Sequence, residues 1–340
     1  MTNTQEIQKR FFQQIREQLP AHLSLVDEIS DLLGISADST YRRLRGEKQL
    51  TLDELVILSE YFHISLDIFL NSPKQSIPFS QIKVDADTFQ VERYLQFALE
   101  RAQTLAAHDD SEMLMIVNDM TIFQLLQFPE LAAFKLFFWQ KSGLNFPSLK
   151  RSRFSLDAID ENLLKIGKAV VKEYVKVPSV EILGVEAINS FLRQINYYLE
   201  LGFFENPRDS LTICDKIIEL IRHFYQEADL GFKFPYQTKP VGKAGTFTLY
   251  YNELFVIDGL VLNRLGSSYS TFIATGPLNL VETSNPDFYH SKYEWAQNLM
   301  GRCILLSGVS EKERNKYFTQ MEDRVVEFKQ KIEKHVFHTL

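Results

Sequence analysis

Three arginines, Arg42, Arg43 and Arg45, close the stretch GISADSTYRRLRG at residues 34–46, and Lys48 follows. A guanidinium fork pairs with a carboxylate, a phosphate or the acceptor edge of guanine. The surroundings are acidic. Residues 1–72 hold seven Lys/Arg against eleven Asp/Glu, and the whole chain of 340 residues carries −7. No whole domain is basic enough to attract nucleic acid as a bulk polyanion sink, so such binding has to come from a local patch. Taken alone, exposed arginines are more often a solvated surface than a site. The elements that carry them decide.

Other residues offer less chemistry. Gly242-Lys-Ala-Gly245-Thr246 is glycine-rich but lacks the spacing of a phosphate-binding loop, and reads as a turn. His335 and His338 stand three apart and could clasp a metal, but no third ligand is visible, which favours a frayed tail. Cys214, among Ile213, Ile217 and Ile218, reads as a core thiol rather than a redox sensor. Asp157, Asp160 and Glu161 read as a charged helix start. No serine, cysteine or carboxylate has a visible activating partner, so neither an enzyme nor a cofactor is expected. Two cysteines, Cys214 and Cys303, make no disulfide framework and fit a reducing cytoplasm. No apolar run reaches the roughly 18 residues of a membrane span, and the N-terminus lacks a signal peptide's apolar segment.

The arginines sit in a run of short helices. Ile7, Phe11, Ile15 and Leu19 form an amphipathic stripe over Glu6–Leu19, ended by Pro20. Ser24 is suited to cap a second helix that buries Leu25, Ile29, Leu32 and Leu33, and Gly34 to break it. Ser36 then caps a third, Ala37–Arg45. Thr51-Leu-Asp-Glu54 is a capping box opening a fourth that runs to Phe62, and Ser65 caps a last turn, Leu66–Leu70. On a wheel, Ala37, Thr40, Tyr41 and Leu44 gather on one side of the third helix and are expected to pack inward. Ser39 and Arg42 then point outward, flanked by Asp38, Arg43 and Arg45, as a helix entering a major groove requires.

In order, spacing and capping residues, LVDEISDLLGIS, ADSTYRRLRG, TLDELVILSEYF and HISLDIFL resemble the Cro/phage-repressor (XRE-like) helix-turn-helix regulators over residues 5–72. The resemblance implies a five-helix DNA-binding domain of the lambda-repressor type, with double-stranded DNA as partner. Ala37, Asp38 and Arg42 match the family's base-contacting slots. Arg42 can bond guanine O6 and N7, and Asp38 can accept from cytosine N4. Ser39 shares the exposed side, Ser36 suits a phosphate oxygen, and Arg43, Arg45 and Lys48 would neutralise further phosphates. The family places an apolar residue where this chain has Arg43, and Leu44 supplies that group instead, so the helix can be rolled by about 100°. Few phosphate contacts per copy imply weak monomer binding, hence a homodimer with half-sites about one helical turn apart.

The remaining three-quarters is expected to be mainly α. Residues 73–86 read as a linker, 87–235 as a helical regulatory region in which Met113–Asn118 could instead be a strand, and 236–340 as an α+β region with a small antiparallel sheet. Strands are expected at Thr246–Tyr251, Leu254–Leu262 with a turn at Asp258-Gly259, Tyr269–Ala274 and Leu278–Thr283. Closing helices are expected over Phe288–Met300 and Glu311–His335. Glu130–Trp139 reads as a core helix, or else as a ligand wall or dimer seam. Tyr197, Tyr198, Phe203 and Phe204 read as core before pocket. Phe318, Met321, Val325, Phe328 and Ile332 repeat at three and four, which suits docking on the chain's own domain better than a coiled coil. The function expected is a cytoplasmic bacterial transcriptional regulator whose C-terminal region dimerises and takes a small-molecule or peptide effector. The alternative is a protein–protein adaptor built on the same helical fold.

Overall fold

The computed structural model describes residues 4–19, 23–62, 64, 66, 69, 77–82, 91–158, 160–241, 245–254, 259–276 and 278–338. They fall into two compact units. One is Met1–Ser80 with Thr283–Asn285, and the other is Gln81–Glu282 with Pro286–Leu340.

The first unit has helices α1 (Thr4–Gln18), α2 (Leu25–Leu33), α3 (Ala37–Leu44) and α4 (Leu52–Tyr61). Phe11, Phe12, Ile15, Ile29, Leu58, Ile64 and Phe69 fill its core. The caps expected at Ser24, Ser36 and Thr51 are made. Ser24 Oγ accepts from Asp27 N, and Ser36 Oγ from Ser39 N. Thr51 and Glu54 make both bonds of the capping box. Of the expected fifth helix, Ser65 and most of Leu66–Leu70 lie outside the described residues.

The second unit is mainly helical around an eight-stranded mixed sheet of order β1-β7-β6-β5-β2-β3-β4-β8. The strands are β1 (Ser80–Ile82), β2 (Ser111–Val117), β3 (Ser179–Gly184), β4 (Phe247–Asn252), β5 (Leu260–Leu265), β6 (Ser268–Gly276), β7 (Asn279–Thr283) and β8 (Ile304–Leu305). This corrects the small antiparallel sheet. β2, β3 and β4 are mutually parallel, and β5 and β8 pair with them antiparallel. Two central strands, β2 and β3, come from the stretch read as helical, and β1 lies in the stretch read as a linker. The strand expected from Leu254 begins at Leu260, and Asp258 lies outside the described residues. A two-residue turn at Gly266-Ser267, with Gly266 at φ 57°, joins β5 to β6.

Alternation sorts the helices into two layers. Met113 and Met115 face α5 (Val91–Ala106) and α8 (Glu161–Tyr174). On the same face, Leu183, Phe247 and Leu249 meet α7 (Pro129–Phe138), α9 (Ala187–Glu200), α10 (Asp209–Leu230) and α12 (Glu311–His338). Leu114, Ile116 and Ile182 point the other way, onto α11 (Pro286–Met300). A short α6 (Ile122–Leu125) precedes α7. Strands buried on both faces carry near-continuous apolar runs, which is why MLMIV shows no alternation. Phe318, Met321, Val325 and Ile332 dock α12 in the core, as expected. Tyr198 and Phe204 are core, while Tyr197 is half exposed. Cys214 is buried, which pushes its thiol up to about 12.

Gly245, just before β4, has φ 63°, and a Cβ there would lie 2.1 Å from the carbonyl oxygen of Val175, the residue that follows α8. Gly245→Ala is therefore expected to destabilise the second unit by at least about 2 kcal/mol in urea unfolding.

Candidate nucleic-acid interface

The geometry of α3 is set from both ends. Gly34, at φ 63°, takes the left-handed conformation that closes α2, and Ile35 N donates back to Ser30 O at 3.0 Å. The chain can then start α3 two residues later. Ser30 Oγ and Thr40 Oγ1 stand 2.8 Å apart, and Thr40 is fully buried, which fixes how α3 lies on α2. At the other end, Gln8 of α1 donates to Arg43 O at 2.7 Å and to Lys48 O at 2.8 Å, and accepts from Leu50 N at 2.9 Å. One buried amide thus holds the loop that follows α3.

Arg43 contradicts its expected role. Its side chain is 3% exposed and is turned inward. Nε donates to Glu54 Oε2 at 3.0 Å, Nη2 to Glu54 Oε1 at 2.5 Å and Nη1 to Ser39 O at 3.1 Å. A guanidinium so paired has no fork left for phosphate. Glu54 also accepts from Thr51 N at 3.1 Å, so one carboxylate caps α4 and clamps α3. The bond from Arg43 holds its carboxyl below the ordinary value.

The inward side of α3 is therefore Thr40, Arg43 and, half-buried, Ser39 and Leu44. Tyr41, expected inside, is 50% exposed, and Ala37 is exposed too. The helix is rolled from the wheel assignment by about one residue's rotation, roughly 100°. The roll brings Ala37, Asp38, Tyr41, Arg42 and Arg45 onto one exposed surface, with Lys48 exposed on the following loop. The Arg42 guanidinium has no partner among the described residues. Arg45 holds Glu47 at 2.9 Å, with the two side chains 60% and 49% exposed. A pair this wet contributes little and exchanges readily for another anion. Ser36 is exposed but its Oγ is engaged as the α3 cap. Tyr41 is the surface residue that the sequence reading missed. The signal was present: a Glu at the third position of α4 can draw an arginine inward and displace an aromatic.

Other charged groups do not compete as a site. Tyr174 donates to Glu181 Oε1, which also accepts from Ser179 Oγ at 3.2 Å, and Lys233 Nζ donates to Ser179 Oγ at 2.7 Å. All four are buried. Burial raises the Glu181 carboxyl and lowers Lys233 to about 8. The group is a core network bonded through Glu181 Oε1, and its burial closes it to substrate. Among the described residues no three His, Cys, Asp or Glu side chains are grouped to hold a metal. The side chains of His335 and His338, and residues 242–244, lie outside them. No helix among them is long and apolar enough to cross a membrane.

Against known families, residues 6–99 match the BetR domain, a stretch that takes in most of α1, all of α2–α4 and about half of α5. The chain is similar to that domain there. No curated protein and no solved structure matches the chain.

Arg43→Met is expected to cost the first unit about 1.5–3 kcal/mol, the worth of hydrogen bonds to a charged group, read by urea unfolding. The sign of the pH dependence follows from Glu54. Its folded value lies below the ordinary 4.5, so its contribution is complete above 4.5 and is lost as pH falls through the folded value. The variant is expected to lack that loss as pH falls below about 4.5.

Proposed function

We propose that the chain is a sequence-specific DNA-binding transcriptional regulator of the helix-turn-helix type. Its first unit lays the exposed side of α3 in a major groove, and its second unit carries dimerisation and effector control. The observation that supports this best is the unpartnered Arg42 guanidinium on a helix whose inward side is fully tied down. An unpartnered guanidinium on a helix so held gives up no existing bond in pairing with guanine O6 and N7. Asp38 and Tyr41 stand beside it as base-edge or sugar contacts, and Arg45, Lys48 and Ser36 as phosphate contacts. Net acidity of the first 72 residues makes a single copy a weak binder, which favours two copies on a two-fold symmetric site.

A second reading, a protein–protein adaptor, is supported by α4. Leu52, Val56, Ile57 and Tyr61 are 74%, 42%, 41% and 56% exposed there.

Selection of duplexes from a random pool at two salt concentrations tests the first reading. It is expected to enrich a two-fold symmetric motif. Arg42→Ala is expected to lose about 1–3 kcal/mol at one base-pair position, and Lys48→Ala to weaken all duplexes alike and lower the salt slope by about 1. Absence of any enriched duplex at low salt would reject the DNA reading and leave the adaptor.

A further inference from the structure

The second unit holds a cavity of about 860 Å³ between α7, α8 and residues 149–158, with residues 235–237 at its edge. That volume is in the range of small-molecule sites, roughly 300–1,000 Å³. Its walls are aromatic and rigid. Phe128 and Tyr236 rings lie 4.2 Å apart, and Phe137 and Phe154 rings 5.6 Å apart. Tyr236 is itself pinned, its amide donating to Gln127 Oε1 at 2.8 Å and its hydroxyl to Glu219 Oε2 at 2.9 Å.

Two backbone irregularities meet there. Gln237, on the lining, has φ 61°, a conformation that costs a non-glycine residue about 1–3 kcal/mol and concentrates at functional sites. Gln140, also on the lining, belongs to a π-helical turn, Trp139–Gly143, that extends α7, and such turns recur at functional sites. Regular backbone would have served a plain core.

The charges on the lining are unequal. Arg153, Lys168, Lys172 and Lys216 face Glu130 and Asp160. Asp160 is engaged as the α8 cap, bonding Asn162 N at 2.8 Å, and Lys216 is paired with Glu219 at 2.9 Å. Arg153, Lys168 and Lys172 have no ion-pair partner among the described residues. Lys168 and Lys172 are exposed, one turn apart on the helix that supplies the apolar wall. An apolar body ending in a negative head satisfies both halves of this lining at once.

We infer that this cavity binds an amphipathic organic anion, with its apolar part between the aromatic walls and its acidic head at Lys168, Lys172 and Arg153. The site stands apart from the DNA reading, since binding is measured on the protein without a duplex.

The test titrates the full chain, carrying bound 8-anilinonaphthalene-1-sulfonate as a fluorescent reporter, with decanoate and with decanol. Decanoate is expected to displace the dye at one site and to bind at least about tenfold tighter than decanol, the worth of one charge-assisted contact. The double variant Lys168→Gln/Lys172→Gln is expected to weaken decanoate about tenfold and leave decanol unchanged. Ala133→Trp, which puts an indole into the cavity beside Phe137, is expected to weaken both while the thermal midpoint is kept. Should that variant fail to fold, the lysine pair, exposed on α8, decides alone. Equal binding of acid and alcohol, or decanoate binding indifferent to the lysine pair, overturns the inference.

Discussion

The bidentate pair between Arg43 and Glu54 governs what the first unit can offer to a partner. A guanidinium taken out of water is tolerable only if its donors are met, and here Glu54 and the Ser39 carbonyl meet them. Because Arg43 must face inward, Tyr41 cannot, and the whole surface of α3 is decided by one residue. Glu54 is tied in turn to Thr51 through the capping box, so the start of α4 and the roll of α3 are one constraint. Gln8 closes the other side of the frame, holding Arg43 O, Lys48 O and Leu50 N from α1. Side chains on the outer face are thereby presented by a rigid helix, which is the condition for reading an edge of hydrogen-bonding groups rather than merely attracting a charge.

The second unit obeys a different rule. Its three parallel strands need crossovers, and the crossovers are helices that cover a face of the sheet. α7 and α8 both belong to the connection from β2 to β3. Where the helices of such a connection do not close completely, a cavity remains, and in this chain it is lined by aromatic and basic side chains. The backbone departs from regular geometry at the same place, at Gln140 and Gln237. An unstrained packing would have filled the space instead.

Local features of the chain were readable without a structure. Ser24, Gly34, Ser36 and the Thr51–Glu54 box mark helix ends because a cap acts on amides no more than three residues away. The buried helix after Pro129 was readable from its apolar composition and the proline at its start, and the docked face of α12 from periodicity. β3 was not, since SVEILG lies among helical stretches and becomes a strand only by pairing with β2 and β4. For the same reason the stretches read as 87–235 and 236–340 share one sheet: parallel neighbours are supplied from far along the chain, and no window of sequence contains both.

The candidate interface divides in the same way. Sequence determined the composition of α3, the glycine turn before it, its caps, and the placing of three arginines at its end. Tertiary structure decided which of the three is spent inside. An arginine's direction depends on whether a carboxylate awaits it, and that carboxylate is eleven residues away on another helix. The wheel weighed Tyr41 as apolar and Arg43 as polar, and was right about their solubility. It had no access to Glu54, whose pairing makes burial of the guanidinium tolerable and leaves the tyrosine facing out. The same division holds for the cavity, whose apolar and basic lining residues enclose space only once α7 and α8 are brought side by side.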